Sequence, residues 1–432
     1  MNWQNWRKIP MPFPLNSTFW RRGYANSVFS LVLLLVVLFP LATHAAESPD
    51  TLELLCDSED PHSAILGCTK LIERGLIDRH DIIDTFARRA SAHLKLEDYR
   101  AAVGDYDVII RAGPPNADVH ALRGVAYFEL DECGQAVEDF SKAIQLTTNP
   151  EPVHFQLRGI CLVQIGEYEQ ALSDFQIVYA AEPERVPRFE RGAALAATGR
   201  KREAVQDFSA VLRRNQNSKE ALYNRALAYA ELGRFSDCVS DIEEYIVLDP
   251  GFSMAYWLRG SCYGETGRYP AAISDLSHAI QLNPEFQPAY RALGAALLRN
   301  GDYHASTETF SRAVEMNARD VSAINGLAWT LYASGKAGEG LPLARRAVEL
   351  APDSMEVRDT LAHILVQLGL TVEAFAEFEK AAELGGAARI REMQKALRQK
   401  NFYTGEINGS LDRMTRASLR ACIDVGCQLL SD

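Results

Sequence analysis

The sequence predicts an all-α fold built from nine consecutive copies of a two-helix unit. A period of about 34 residues runs over 83–388, with windows that start at residues 83, 117, 152, 185, 219, 253, 287, 321 and 355. Two positions of the window hold small residues in all nine copies, and a third position holds glycine in seven. A single two-helix unit cannot bury its own apolar face, so such copies stack into a solenoid.

The small residues indicate where the two helices of a unit cross. Position 8 is Gly or Ala, and position 20 is Ala, Cys, Ser or Gly. A large side chain at either position would overpack the helix contact. Position 15 is the expected turn between the helices, because a helix end favours glycine in the left-handed conformation. Its seven glycines are Gly166, Gly199, Gly233, Gly267, Gly301, Gly335 and Gly369.

The copy that begins at Ser253 shows the pattern most fully. Its characteristic residues are Tyr256, Arg259, Gly260, Tyr263, Gly267, Tyr269, Ala272, Leu276, Ala279 and Pro284. This pattern resembles the tetratricopeptide repeat (TPR), a helix–turn–helix unit of the same length. The resemblance implies a right-handed TPR superhelix with a concave groove, and a protein or peptide as the ligand.

Positions 7 and 23 change together along the chain. Position 7 is Arg and position 23 is Asp in the first six copies, and neither residue type is kept in the last three. We therefore predict an ion pair between the two helices of each of the first six repeats; the alternative is independent solvated charges. The pairs are Arg89–Asp105, Arg123–Asp139, Arg158–Asp174, Arg191–Asp207, Arg225–Asp241 and Arg259–Asp275. The change also divides the array into two sub-blocks, 83–286 and 287–388.

Residues 1–45 are predicted to be a secretory signal peptide. Two arginines precede an apolar run from Val28 to Leu41, which is short for a membrane span of about 20 residues. Small residues before Ala46 offer a cleavage site. Periplasmic export is therefore the expected localisation, and the alternative is an uncleaved leader that anchors the protein in the inner membrane.

Composition limits the classes of partner and of chemistry. The formal net charge is −12, which argues against nucleic acid or an anionic membrane surface as the main partner. Membrane contact is expected only if the leader stays uncleaved. The phosphate loop, His-Glu-x-x-His and Gly-x-Ser-x-Gly motifs are absent, and the nine histidines are scattered. We expect a non-catalytic protein with no cofactor and no metal.

The eight cysteines all follow the leader, and an exported protein can oxidise them to disulfides. Neighbouring positions suggest four pairs, and the alternative for each cysteine is a small buried hydrophobe. The pairs are Cys56–Cys68, Cys133–Cys161, Cys238–Cys262 and Cys422–Cys427. The first pair belongs to residues 46–82, which resemble the cysteine-bearing first unit of exported bacterial TPR proteins and are predicted to form an N-terminal helical cap.

Positions 5, 9 and 12 of each first helix should line the concave face, given the TPR resemblance. The predicted partner-binding groove consists of Phe128, Phe189, Tyr223, Trp257, Arg291, Asn325, Trp329 and Tyr332, with Gln156, Asp359 and His363 as further polar positions. Exposed aromatic residues would anchor an extended peptide or a helix. The alternative is that some of them pack against neighbouring repeats. The lysines of the TPR clamp for C-terminal carboxylates are not found beside Asn224 and Asn325.

Residues 389–432 depart from the repeat. They contain a helix with an internal Gln, an aromatic–Gly turn, an Asn–Gly turn and a Thr expected to cap a second helix. This order resembles the small helical peptidoglycan-binding domain, although Asn408 replaces its usual Asp and Asp412 its usual Gly. The wall-binding residues that the resemblance implies are Gln394, Tyr403, Gly405, Asn408, Gly409 and Thr415. The alternative is a C-terminal cap for the solenoid.

These observations predict a non-catalytic exported scaffold or adaptor. It would bind a protein or peptide partner in the groove and dock on peptidoglycan through 389–432. The alternative is a membrane-tethered assembly factor, similar to a chaperone, for an envelope complex.

Overall fold

The computed structural model describes residues 48–77, 81–427 and 429, and these residues form 21 helices and no strand. The predicted signal peptide, 1–45, lies outside the described residues. The helices are α1 (Pro49–Cys56), α2 (Pro61–Arg74), α3 (Ile82–Lys95), α4 (Tyr99–Ala112), α5 (Ala117–Glu129), α6 (Cys133–Leu146), α7 (Pro152–Gln164), α8 (Tyr168–Ala181), α9 (Arg188–Ala197), α10 (Lys201–Arg214), α11 (Lys219–Glu231), α12 (Phe235–Leu248), α13 (Ser253–Glu265), α14 (Tyr269–Leu282), α15 (Gln287–Arg299), α16 (Tyr303–Met316), α17 (Val321–Ala333), α18 (Ala337–Leu350), α19 (Met355–Gln367), α20 (Thr371–Gln399) and α21 (Arg413–Asp424). Within these ranges, no helix is both long enough and apolar enough to cross a membrane.

The chain divides into two compact units, 1–232 and 233–432. Within each unit, consecutive helices pack as pairs and each pair packs on the next. The first helices of neighbouring repeats also touch each other, as α5 and α7 do in one unit and α15 and α17 in the other. The first helices therefore line the inner side of each stack. The predicted all-α class of stacked helix pairs is confirmed.

The turn at position 15 has the predicted left-handed backbone. All seven glycines at this position have φ between 73° and 85°. In the first two repeats Glu97 and Asp131 occupy the same place, with φ of 60° and 62°. A side chain with a Cβ is strained in this conformation by about 1 kcal/mol or more, so these two turns are less favourable than the other seven.

Replacing Glu97 with glycine should relieve that strain. We expect Glu97→Gly to raise the free energy of unfolding of the full chain by about 1 kcal/mol, measured by guanidinium denaturation. Gly166→Ala is the matched control, because Gly166 has φ of 85° and an added Cβ would meet nothing within 4 Å. That variant should lose a similar amount. A Glu97→Gly protein no more stable than the parent would contradict backbone strain at this turn.

The small residue at position 8 lies against the large side chain at position 24. A Cβ added to Gly159 would come within 2.6 Å of the Phe175 ring, and one added to Gly294 within 2.8 Å of Phe310. Real Cβ atoms do not approach that closely, so the ring can pack there only because the facing residue is small. The predicted close helix crossing is confirmed.

Five of the six predicted ion pairs are present, and in each the guanidinium donates two hydrogen bonds to one carboxylate. The ten N···O distances lie between 2.6 and 2.9 Å. The five aspartates are 1–8% exposed, so independent solvated charges are excluded for these pairs. Arg225 and Asp241 belong to different units, and their pair stays a prediction.

The sequence did not indicate a further contact made by these arginines. The Nη1 atom of Arg158 donates to Ser141 Oγ at 3.0 Å, and that of Arg123 donates to Asp107 Oδ1 at 2.6 Å. Both acceptors lie on the second helix of the preceding repeat. Each guanidinium thus links three helices rather than two.

The cysteines form the four pairs suggested by the sequence. The Cα–Cα distances are 4.6, 4.9, 6.7 and 5.2 Å for Cys56–Cys68, Cys133–Cys161, Cys238–Cys262 and Cys422–Cys427. These separations are those of disulfides. The second and third pairs join the second helix of one repeat to the first helix of the next, as α6 to α7 and α12 to α13.

The C-terminal segment packs on the last repeats. Helix α20 is broken at Gly386, where φ is 62° and ψ is −159°. Beyond the break, Ile390, Leu397 and Leu419 belong to the same core cluster as Leu361 and Phe378 of the ninth repeat. The segment therefore shares its core with the array, as the cap alternative requires.

Candidate peptide-binding groove

Four of the eight predicted groove residues are part of the packing between helices. Tyr223 and Trp257 are 1% and 3% exposed, so their predicted role as surface anchors is wrong. Trp257 packs edge-on against Phe286, with ring centroids 5.6 Å apart. Phe128 and Phe189 are partly buried and pack against the core clusters of their own repeats. For these residues the packing alternative is the correct one.

The other four predicted residues lie on α15 and α17 in the second unit. Asn325, Trp329 and Tyr332 are spaced i, i+4 and i+7 along α17, which places them on one helical face. The Trp329 and Tyr332 rings are in contact, with centroids 4.9 Å apart. These residues and Arg291 are all partly exposed. An aromatic pair and two polar side chains therefore share the inner side of repeats seven and eight.

Arg291 and Asn325 are unusual in their hydrogen bonding. Among the described residues neither side chain makes a hydrogen bond, and Arg291 Nε and Asn325 Oδ1 are buried without a partner. Asp320 lies 3.5 Å from Arg291 Nε, but its carboxylate already accepts from Gln287 Nε2 at 2.7 Å and from Ala323 N. A buried polar atom without a partner costs about 1–3 kcal/mol. This part of the groove therefore contains polar groups that a ligand could satisfy.

His363 lies beneath the aromatic pair. Its ring centroid is 5.6 Å from that of Trp329, 6.0 Å from that of Tyr332 and 5.0 Å from that of Phe378. The side chain is 2% exposed, and burial, together with the positive charge of Arg389, lowers the pKa of His363 to about 3. The imidazole is therefore neutral at physiological pH and forms part of the groove wall, not of its surface.

Asp359 is also buried rather than at the groove surface. It is 9% exposed and pairs with Arg389 of the C-terminal segment, with Oδ2 and Nη2 2.6 Å apart. Burial raises the pKa of Asp359, while the Arg389 charge opposes this shift. The sequence gave no signal for this pair, because Arg389 follows the break at Gly386 and lies outside the repeat.

The tetratricopeptide repeat signature matches the chain in four places. One form of the signature covers 88–150, 189–251 and 291–354, and a second covers 255–286. Together they account for about half of the residues. The chain belongs to the tetratricopeptide repeat family. Proteins of this family mediate protein–protein interactions, and the stacked helix pairs described above are its superhelical fold.

Similar proteins align with only part of this TPR chain. It is 36% identical over 76 residues to the small glutamine-rich tetratricopeptide repeat-containing protein 2 of Mycosarcoma maydis, covering 17% of this chain and 21% of that protein. It is 26% identical over 151 residues to the mouse Superkiller complex protein 3, covering 34% and 9%. The chain thus spans about a fifth or less of these curated relatives. A solved tetratricopeptide repeat protein from Parabacteroides merdae is 19% identical, with a TM-score of 0.47, covering 54% of this chain and 93% of that one.

The predicted wall-binding residues divide into buried and surface groups. Gln394 and Thr415 are fully buried and Tyr403 is 2% exposed, so in this conformation none of the three can contact a glycan. Their predicted role in binding is wrong. Gly405, Asn408 and Gly409 are at least partly exposed, and for them wall binding stays a prediction.

Gln394 organises the turns of the C-terminal segment. Its Nε2 lies 3.0–3.1 Å from oxygens of Tyr403, Asn408, Ser410 and Thr415, and its Oε1 accepts from Gly409 N at 3.0 Å. The N-cap of α21 is Asp412 rather than the expected Thr415. Asp412 Oδ1 accepts from Thr415 N at 2.8 Å. The motif residues are therefore those that fold the segment.

Proposed function

We propose that this TPR protein is a non-catalytic adaptor that holds a peptide segment of a protein partner against the inner side of repeats seven and eight. The partly exposed Trp329–Tyr332 pair carries this proposal. Aromatic side chains supply large contact areas and dominate the energetics of many interfaces. Beside the pair, Arg291 and Asn325 offer polar groups that the protein itself leaves without hydrogen bonds.

We place the adaptor in the periplasm. Four cysteine pairs at disulfide separations favour an oxidising compartment, since reducing compartments keep thiols free. The predicted leader is consistent with that location. Docking on the cell wall is the less favoured part of the proposal, because Gln394, Tyr403 and Thr415 are interior and 389–432 shares its core with the array.

The test is selection of twelve-residue random peptides by phage display on the oxidised full chain. Peptides that bind at the proposed site should lose about thirtyfold in affinity to Trp329→Leu, the effect of truncating one central aromatic anchor. Tyr303→Ala is the matched control, because Tyr303 is 39% exposed and lies on a second helix. Circular dichroism checks that both variants remain folded. Selected peptides that bind Trp329→Leu and the parent equally would place the site elsewhere.

A further inference from the structure

We infer that the groove recognises an extended peptide with an acidic side chain, whose carboxylate binds Arg291 and whose main chain pairs with Asn325. This inference rests on the proposed function and specifies the ligand of the same groove. It is carried by position 5 of the last three repeats.

Position 5 changes character at the repeat where the ion pairs end. In the first six repeats it is Ala87, Ala121, Gln156, Phe189, Tyr223 and Trp257, and in the last three it is Arg291, Asn325 and Asp359. Each of the last three has one buried polar atom without a hydrogen bond, namely Arg291 Nε, Asn325 Oδ1 and Asp359 Oδ1. The fold does not require such atoms, because the arginines of the five described ion pairs are satisfied by their aspartates. The unsatisfied row is a property of this part of the groove.

Arg291 is the group that selects charge. Its side chain is 25% exposed, and the nearby Asp320 is already engaged by Gln287 and by the start of α17. Its two Nη atoms make no hydrogen bond among the described residues, so they remain available as a fork. A guanidinium fork matches a carboxylate with two parallel hydrogen bonds. An aspartate or glutamate of the ligand supplies what the protein does not.

Asn325 is the group that reads the main chain. Its amide carries both donors and an acceptor, as a peptide group does, so it can pair with one N–H and one C=O of an extended strand. Neighbouring helices lie about 8–10 Å apart and an extended chain advances about 3.3 Å per residue. The acidic residue and the paired residue are therefore about three positions apart in the ligand. Trp329, one turn along α17, covers an apolar side chain beside them.

An internal acidic residue fits better than a C-terminal carboxylate. Capture of a chain end relies on clusters of free backbone N–H groups. Arg291 and Asn325 lie inside α15 and α17, where the backbone N–H groups are used by the helix itself. Only side chains are available here, and a single fork suits a single side-chain carboxylate.

The test measures fluorescence anisotropy with three fluorescein-labelled ten-residue peptides and the full chain. The first is acetylated and amidated, with the core Glu-Ser-Val-Phe in Gly-Ser flanks. The second has Gln for Glu, and the third has the Gln core with a free C-terminus. We expect the first peptide to bind at least tenfold more tightly than the other two. Arg291→Gln should remove that difference, and Asn325→Ala should weaken the first two peptides alike, by about fivefold.

Arg299→Gln is the matched control, since Arg299 is an exposed arginine at the end of the same helix. It should leave all three affinities unchanged. Equal binding of the Glu and Gln peptides, or tightest binding of the free C-terminus, would overturn the inference. If phage-selected peptides depend on Trp329 but are insensitive to Arg291→Gln, the inference fails while the proposed function stands. If no peptide depends on Trp329, both fail.

Discussion

Asp174→Ala is expected to lower the free energy of unfolding by about 3–5 kcal/mol, the usual cost of removing one partner of a buried ion pair. Asp174 is 3% exposed and accepts hydrogen bonds of 2.8 and 2.7 Å from Arg158. The Arg158 side chain is only 19% exposed, and without Asp174 its remaining partner is the neutral Ser141. Guanidinium denaturation measures the loss, and hydrogen exchange should show it concentrated in α7 and α8.

Two further variants show whether burial causes this effect. Glu203→Ala removes one member of the Arg200–Glu203 pair, whose side chains are 49% and 51% exposed, and should change stability by no more than about 0.5 kcal/mol. The double variant Arg158→Leu/Asp174→Leu copies repeat eight, which has Leu327 and Leu343 at the same positions, in one apolar cluster. It should recover most of the loss. Equal losses from Asp174→Ala and Glu203→Ala would contradict the importance of burial.

The ion pairs could be predicted because both members change at the same repeat. Pairing within a repeat left no arginine or aspartate unmatched, so the sequence itself selected the partner. The link to the preceding repeat could not be predicted, because its acceptor is Asp107 in one case and Ser141 in another. No single residue type marks that position.

The groove was predictable in direction but not in depth. Trp257 and Trp329 both lie on the inner side of a first helix, and nothing in the repeat pattern distinguishes them. The loop residue Phe286 covers Trp257, whereas Trp329 remains partly exposed. The buried atoms of Arg291 and Asn325 that lack partners can be found only from coordinates. The polar character of position 5 in the last three repeats was a signal in the sequence that could have directed attention to them.

The C-terminal motif shows a different limit. A resemblance indicates which residue types a fold needs, and those residues are often needed for folding rather than for binding. Gln394 is such a residue, since one buried amide connects the turns at Tyr403 and Asn408 to the start of α21. Its position in the motif therefore gave the local fold and not a ligand.

Leu419→Ala is expected to destabilise the last repeats as well as its own segment, by about 2–5 kcal/mol. Leu419 is fully buried, in a cluster that also contains Leu361 and Phe378 of the ninth repeat. Helix α21 makes two more contacts with α20, an ion pair from Arg416 to Glu379 and the stacking of Arg420 on Phe375. A cavity beneath α21 should therefore loosen both sides of the contact.

Hydrogen exchange on the full chain distinguishes a cap from a separate domain. A cap requires that Leu419→Ala accelerate exchange in α19 and in α20 before Gly386, together with α21. A separate domain tethered to the array would lose protection only after the break at Gly386. Val425→Ala is the matched control, since Val425 is 69% exposed and its truncation should change neither region. Exchange confined to α21 would contradict the shared core and would restore wall docking as the function of residues 389–432, whereas exchange on both sides would leave the groove of repeats seven and eight as the binding surface to pursue.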